Sequence, residues 1–257
     1  MINILVLSAH LDDAAFSVGP LLAEWKTGAR ITVATIFTQS VANPEGFALA
    51  CQLDKGLSVS VDYMQIRRNE DRGWAAKIGV QAVHGPFREA PHRGYHSAKT
   101  LFESILPTDL VGSELHPWLK GLIASHTQDL VLIPLGIGNH VDHQWVRTIA
   151  EGILPNGYLL AYYQDQPYAE KSGSSVADAK PSDHGPWHEF RILLSQNSLQ
   201  CALTATEAYR TQIPFQFGGI EPMKQLLTHA WGNYLTLFHT AEIPIFVDSL
   251  SNSILSK

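Results

Sequence analysis

The sequence predicts an α/β fold in one domain, built around a mostly parallel sheet. Near-continuous apolar runs at 2–7, 31–37 and 130–134 have the character of strands that are buried on both faces. Segments with helical periodicity separate these runs, and such alternation produces parallel strands joined by right-handed crossovers. The chain has 257 residues, of which 45% are hydrophobic, so it can form a single sizeable core.

The elements follow in order from apolar runs of strand length and longer amphipathic segments between them. The predicted strands are 2–7, 31–37, 80–83, 130–134, 159–163, 190–194 and 243–247. The predicted helices are 14–26, 47–57, 66–78, 110–125, 141–151, 199–211 and 222–231.

Two segments interrupt this alternation. Residues 84–96 are rich in Pro, Gly, aromatic and basic residues and follow a predicted strand, so we expect them to form a wall of the substrate site. Residues 170–188 are polar and rich in Gly, Ser and Pro, which predicts a flexible loop.

Composition and charge exclude several functional classes. The net charge of −6 argues against a nucleic-acid-binding protein, which normally presents a basic face. No apolar run is long enough to predict a membrane span, and the N-terminus has the pattern of a strand and not of a signal peptide. The two cysteines, Cys51 and Cys201, do not make a disulfide scaffold, so we expect a cytoplasmic protein.

Histidine and aspartate side chains cluster directly after two predicted strands. His10, Asp12 and Asp13 follow the first apolar run, and His-Val-Asp-His at 140–143 follows the run at 130–135. Ligands of open α/β sheets bind outside the carboxyl ends of the strands. We therefore expect the two clusters to lie at one edge of the sheet and to form a single site.

These residue types favour metal-assisted hydrolysis of an amide or ester. Catalytic zinc takes three protein ligands and keeps one position for water, and His10, Asp13 and one of His140 or His143 make such a set. Asp12, next to a ligand, is suited to act as general base. The remaining histidine could stabilise the oxyanion or protonate the leaving amine.

Structural explanations compete with this chemistry. His10 could be a hydrogen-bonded histidine at a strand end, and Asp12, Asp13 or Asp142 could cap the helices that begin nearby. A non-catalytic sugar- or nucleotide-binding protein on the same fold is then the alternative function. A dinucleotide-dependent oxidoreductase is excluded, because no Gly-x-Gly-x-x-Gly follows the first strand.

Several motifs resemble those of the PIG-L/LmbE-like deacetylases, in the expected order and across residues 2 to about 230. The resembling segments are Ala-His-Leu-Asp-Asp-Ala at 9–14, Arg-Arg-Asn-Glu at 67–70, His-Val-Asp-His at 140–143, Tyr-Tyr-Gln-Asp-Gln-Pro-Tyr-Ala at 162–169 and Ala-Tyr-Arg-Thr-Gln at 208–212. The proline and glutamate of the commoner first motif are Leu11 and Ala14 here, and neither is a metal ligand in this interpretation.

The resemblance implies a Rossmann-like (LmbE-like) three-layer sandwich over 1–257, with one zinc ion bound by His10, Asp13 and His143. The activity it implies is removal of an N-acetyl group from a small molecule that contains an N-acetylamino sugar. An amidase that cleaves a larger acyl group with the same site is the alternative. The resemblance is compatible with a homo-oligomer, but no residue argues for one assembly state.

Roles for the other site residues also follow from the resemblance. It implies Asp12 as the general base, His140 facing the oxyanion or protonating the amine, and Asp142 orienting a histidine. It places Arg67 in the substrate pocket. We further expect substrate contacts from the segment 84–96, where Arg88 and Arg93 could bind a phosphate or carboxylate and Tyr95 belongs to the wall.

Overall fold

A seven-stranded sheet forms the centre of the protein. The computed structural model describes residues 2–124, 129–154, 159–171, 173, 176–179 and 187–240. The strands are β1 (Ile2–Ser8), β2 (Ala29–Thr35), β3 (Gln81–His84), β4 (Leu130–Pro134), β5 (Leu160–Tyr163), β6 (His188–Leu193) and β7 (Tyr234–His239). Their order is β3-β2-β1-β4-β5-β7-β6. β1 to β5 pair in parallel, whereas β7 pairs antiparallel with both β5 and β6.

Helices cover both faces of this sheet, as the predicted three-layer architecture requires. The helices are α1 (Asp13–Trp25), α2 (Gly46–Leu53), α3 (Tyr63–Ile78), α4 (Ala98–Leu101), α5 (Val111–Ala124), α6 (Val141–Ile153), α7 (Tyr168–Lys171), α8 (Val176–Ala179), α9 (Gln196–Thr206), α10 (Ile213–Phe217) and α11 (Ile220–Trp231), with a 3-10 turn at Ala90–His92. None of the helices described is long and apolar enough to cross a membrane.

The side chains of β1 show how the two helical layers are built. Ile4 and Val6 belong to the core on one face, together with residues of α1, α3, α9 and α11. Leu5 and Leu7 belong to the core on the other face, against α5 and α6. Successive strand residues point to opposite faces, so a continuous apolar run is what a strand covered on both sides needs. The carboxyl ends of β1, β4 and β5 then meet at one edge.

The C-terminal third differs most from the prediction. Sequence reasoning misses β7, although Leu235 and Leu237 are buried and alternate with the half-buried Thr236. The strand predicted at 243–247 lies outside the described residues. The helix predicted over 199–211 ends at Thr206, and the unpredicted α10 follows it. Within 170–188 the structure describes the end of α7, α8 and the start of β6, and the other positions of this predicted loop lie outside the described residues.

Gly85 lets the segment 84–96 pass close to the end of β2. A Cβ atom at this position would lie 2.4 Å from the carbonyl oxygen of Ile36, which is backbone and cannot move aside freely. The Gly85 amide also donates to the Thr35 carbonyl. The segment that begins here therefore depends on a residue without a side chain.

Replacing Gly85 with alanine should overpack this contact and lower the free energy of unfolding by about 1–3 kcal/mol. The matched control is Gly121→Ala in α5, where a Cβ meets nothing within 4 Å. The control should be neutral or raise stability by up to about 1 kcal/mol, because alanine is the better helix former. Urea denaturation of both variants measures the difference, and equal midpoints would show that Gly85 is not needed for close approach.

Candidate active site

A tight turn after β1 holds the first cluster. The Ser8 hydroxyl donates to the His10 carbonyl at 2.8 Å and accepts from the Ala14 amide at 3.2 Å. The Asp12 amide donates to the same His10 carbonyl at 2.9 Å. These bonds end the strand, begin α1 and leave the side chains of 10, 12 and 13 at the carboxyl edge of the sheet.

Three side-chain atoms from two strand ends converge on one point. Asp13 Oδ2 lies 3.4 Å from His10 Nδ1 and 3.2 Å from His143 Nε2. Neighbouring ligands around a tetrahedral zinc ion, with bonds of about 2.0 Å, are separated by about 3.3 Å. Ligand atoms of His10, His140 and His143 also lie within 4.8 Å of one another. The cluster can therefore hold a divalent metal ion, with either Asp13 or His140 beside the other two histidines.

The electrostatics of this cluster favour a cation. His143 Nε2 is buried and has no hydrogen-bond partner among the described residues, so it is free to act as a ligand. Although burial opposes the charged imidazolium, the carboxylates of Asp13 and Asp165 raise the pKa of His143 to about 9. Against the same effect of burial, Asp13 and Asp142 raise the pKa of His10 well above its ordinary value. Positive charge is thus stabilised where the ligand atoms meet.

Asp142 fixes the orientation of His10 from behind. Its Oδ2 lies 2.8 Å from His10 Nε2 and accepts from the Ala90 amide at 3.1 Å, while its Oδ1 accepts from Arg93 at 2.7 Å. Burial would raise the pKa of Asp142, but Arg93 and His10 hold it far below its ordinary value. The ionised carboxylate keeps the other ring nitrogen of His10 directed at Asp13, as outer-shell partners of metal ligands do.

Asp165 plays the corresponding part for His143, and sequence reasoning misses it. The carboxylate lies 2.7 Å from His143 Nδ1 and accepts from the amides of Gly136 and Ile137 at 2.7 and 2.9 Å. Asp165 lies two residues after the end of β5, a neighbour of β4 in the sheet. Its position just past a strand end is the same signal that identifies the two motifs, so it could have been found in the sequence.

Asp12 is buried but contacts different partners from Asp13. Its Oδ1 lies 3.4 Å from Arg67 Nη2, and its Oδ2 accepts from Gln216 at 3.0 Å. Burial raises the pKa of Asp12 to about 7, where the charge of Arg67 opposes the shift and that of Asp13 adds to it. Arg67 also forms an ion pair with Glu89 and is 4% exposed. Arg67 therefore lies beside the predicted base and is engaged by two carboxylates.

His140 begins α6 and is held as a neutral ring. Its Nδ1 accepts a hydrogen bond from the Asp142 amide at 3.1 Å, which caps the helix. Burial and the neighbouring His10 lower the pKa of His140 well below its ordinary value. A neutral imidazole that accepts at Nδ1 carries its proton at Nε2. His140 can therefore donate a hydrogen bond from Nε2.

The helix-capping explanation of the aspartates does not describe this structure. The Asp12 side chain makes no capping hydrogen bond at the start of α1, and Asp13 Oδ2 accepts from the His10 amide, which precedes the helix. At α6 the capping group is His140 and not Asp142. The carboxylates face the cluster because other groups satisfy the helix ends.

An aromatic wall stands beside the two histidines of the second motif. The Phe102 ring lies 5.3 Å from His140, and the Tyr168 ring lies 5.4 Å from His143. Burial and the charges of Asp13 and Asp12 raise the pKa of Tyr168 well above its ordinary value, so its hydroxyl stays protonated. Neither aromatic residue belongs to the predicted site, because an isolated aromatic has no distinctive spacing.

The expected substrate contacts of the segment 84–96 need correction. Tyr95 is fully buried and donates from its hydroxyl to Asp109 at 2.9 Å, so it faces the interior and not a substrate. The Arg93 guanidinium pairs with Asp109 and Asp142 and is occupied in holding the site together. Arg88 is exposed and lines, with Arg93, a groove of about 470 Å³. Arg93, which the sequence analysis assigns to an anionic substrate, thus forms ion pairs with two buried carboxylates of the protein itself.

Comparison with known proteins identifies the family. A family model described as PIG-L, GlcNAc-PI de-N-acetylase, matches residues 5–154, which contain both histidine-aspartate motifs. The chain belongs to this family.

One relative is similar in sequence, and two solved structures share the fold. The chain is 33% identical over 168 residues to 2'-N-acetylparomamine deacetylase from Streptomyces fradiae, a match that covers 64% of this chain and 57% of that protein. It is similar to the antimicrobial pseudoaglycone deacetylase Dbv21, with a TM-score of 0.77, 28% identity, and coverage of 93% of this chain and 98% of that one. A zinc-inhibited form of teicoplanin deacetylase Orf2 has a TM-score of 0.77 at 23% identity, covering 92% and 96% of the two chains.

Neutralising Asp165 should weaken metal binding, because the Asp165 carboxylate orients the His143 ring. We expect Asp165→Asn to raise the Kd for zinc about 10–100-fold, the usual effect of losing such a partner. Asp54→Asn, which changes an exposed carboxylate at the end of α2, is the matched control. Competition with a chromogenic chelator measures the affinities, and His143→Ala reports the loss of the ligand itself. An unchanged Kd in Asp165→Asn would remove Asp165 from this role.

Proposed function

We propose that this protein is a zinc-dependent hydrolase that removes an N-acetyl group from a small molecule containing an N-acetylamino sugar. The observation that carries the proposal is the convergence of His10 Nδ1, Asp13 Oδ2 and His143 Nε2, with the buried carboxylate of Asp12 beside them. The relatives support the substrate class, because two of them are deacetylases named for an acetylated aminoglycoside and for an antibiotic pseudoaglycone.

His10, Asp13 and His143 would hold the zinc ion. We prefer Asp13 over His140 as the third ligand, since its Oδ2 lies 3.2 and 3.4 Å from the ligand atoms of the two histidines. His140, by contrast, is tied through Nδ1 to the start of α6. When bound, zinc lowers the pKa of a coordinated water towards neutrality and polarises a carbonyl group.

Asp12 would act as the general base. A carboxylate with a pKa of about 7 can take a proton near neutral pH and give it up again. Asp12 accepts the proton of the attacking water and holds it at a carboxylate oxygen while the water oxygen adds to the acyl carbon. When the carbon–nitrogen bond breaks, this proton passes to the departing nitrogen, which leaves as an amine, and the acyl group remains as acetic acid, which then ionises to acetate.

His140 would stabilise the negative charge that develops on the acyl oxygen. Its neutral ring carries the proton at Nε2, because Nδ1 accepts from the Asp142 amide. Because its pKa lies well below the ordinary value, His140 stays neutral near pH 7 and carries no extra proton to give to the amine. The oxyanion role is therefore the one we assign to His140.

An assay of released acetate and primary amine tests this function. We expect protein loaded with zinc to deacetylate N-acetylglucosamine conjugates or N-acetylated aminoglycosides. Asp12→Asn should keep its zinc, measured by elemental analysis, and lose about 10²–10⁴-fold in kcat, the usual contribution of a general base. Asp54→Asn is the control for an unrelated carboxylate. Full activity in Asp12→Asn would exclude Asp12 as the base, and a parent that binds no zinc would favour a binding protein.

Arg67 should set the pH range of this activity. Its positive charge lowers the pKa of Asp12, so Arg67→Gln raises that pKa. Because the base works in its ionised form, the acidic limb of the kcat/KM profile should move to higher pH, and activity at pH 6 should fall more than activity at pH 9. Arg67→Lys keeps the charge and should move the limb less. An unmoved limb in Arg67→Gln would contradict the pairing of these residues.

A further inference from the structure

We propose that Tyr168 is a further catalytic residue, whose hydroxyl donates a hydrogen bond to the acyl oxygen of the substrate alongside His140. The inference rests on the proposed function, because it concerns the charge that amide hydrolysis places on that oxygen. It assigns to the site a residue from α7, outside both histidine-aspartate motifs.

The position of the Tyr168 ring is the first observation. Its centroid lies 5.4 Å from that of His143, with the ring planes at 83°, and 6.5 Å from that of His140. Phe102 packs at 5.9 Å on another side. The ring therefore stands against both histidines of the second motif, one a proposed ligand and the other the proposed oxyanion donor.

Gly138 provides the space that the Tyr168 side chain occupies. A Cβ at Gly138 would lie 3.2 Å from both Cβ and Cδ1 of Tyr168, which is tighter than most real contacts. Gly138 also has φ +85°, a conformation that favours glycine. The Cβ and one ring edge of Tyr168 thus pack against the backbone of Gly138, two residues before His140, and the ring lies beside the two histidines.

The hydroxyl of Tyr168 is the third observation. The fully buried tyrosines 163 and 209 use theirs within the protein: Tyr163 donates to the Leu7 carbonyl at 2.8 Å, and Tyr209 donates to Asp71 at 2.8 Å. Tyr168 makes no hydrogen bond to another described residue, although Asp13 and Asp12 act on its charge. Tyr168 is half-buried, so its hydroxyl stays open to a group from the substrate.

The substrate group that fits is the carbonyl oxygen of the N-acyl amide. Attack of water on the acyl carbon converts this neutral acceptor into an oxyanion, and hydrogen bonds from Tyr168 and His140 strengthen as the charge forms. Tyr168 keeps its proton throughout. The proton that reaches the departing amine comes from the attacking water through Asp12. Tyr168 therefore only donates a hydrogen bond and transfers no proton.

Tyr168→Phe tests the role in turnover, because it removes the hydroxyl and keeps the ring packing. We expect kcat to fall about 10²–10³-fold with little change in KM, as for the loss of one oxyanion donor. Zinc content and melting temperature should equal those of the parent. Tyr234→Phe is the matched control, since Tyr234 is 46% exposed on β7. An unchanged kcat in Tyr168→Phe would overturn the proposal.

A binding experiment separates this inference from the proposed function. Methylphosphonate resembles the tetrahedral state of an acetyl group, and calorimetry can measure its Kd for the zinc-loaded protein without turnover. We expect Tyr168→Phe to raise that Kd about tenfold or more, because the lost bond goes to an anion. If the Kd depends on Tyr168 but the protein deacetylates none of the substrates, the result would support Tyr168 as a hydrogen-bond donor and contradict the proposed deacetylase function. Equal Kd values for the parent and Tyr168→Phe, or no binding by the parent, would overturn the proposal that Tyr168 is a hydrogen-bond donor.

Discussion

The buried carboxylate of Asp142 is the interaction on which the rest of the site depends. It joins three parts of the chain: α6, which carries it, His10 at the end of β1, and the segment 84–96 through Ala90 and Arg93. A charge with no solvent exposure is stable only when partners surround it, and removal of one partner leaves an uncompensated ion. The hydrogen bonds and the ion pair to Asp142 therefore hold the three parts in place relative to one another.

This constraint explains why Arg93 and Tyr95 hold the segment 84–96 in place, where the sequence suggests that they contact a substrate. Arg93 donates to Asp142 and also to Asp109, and Tyr95 and Trp145 both donate to the Asp109 carboxylate. The Pro- and Gly-rich segment is thus anchored by buried ion pairs. A pattern of arginines and aromatics at a sheet edge does not distinguish these two uses, because the buried carboxylates that recruit the arginine come from remote positions.

The sequence allows prediction of those features that local residue patterns and the parallel arrangement of strands determine. Apolar runs of strand length identify five parallel strands, and residues that follow them are brought to one edge, so the juxtaposition of His10 with His143 is predictable. Asp165 follows from the same rule. The contact of Gln216 with Asp12 does not, because it joins α10 to a position 204 residues away and has no periodic signal. Sequence reasoning also misses β7, although this strand has six residues, more than β3 or β5.

Asp12 and Asp13 show how two identical neighbouring side chains acquire opposite chemistry. Burial disfavours the charged form of both, but the histidines around Asp13 lower its pKa well below the ordinary value, while Asp12 has a pKa of about 7. The difference comes from direction: the turn after β1 aims Asp13 at His10 and His143, and aims Asp12 at Arg67 and Gln216. A carboxylate that stays ionised suits a metal ligand, whereas one that titrates near neutrality suits a base. The backbone of one turn, more than the residue types, therefore separates the two roles.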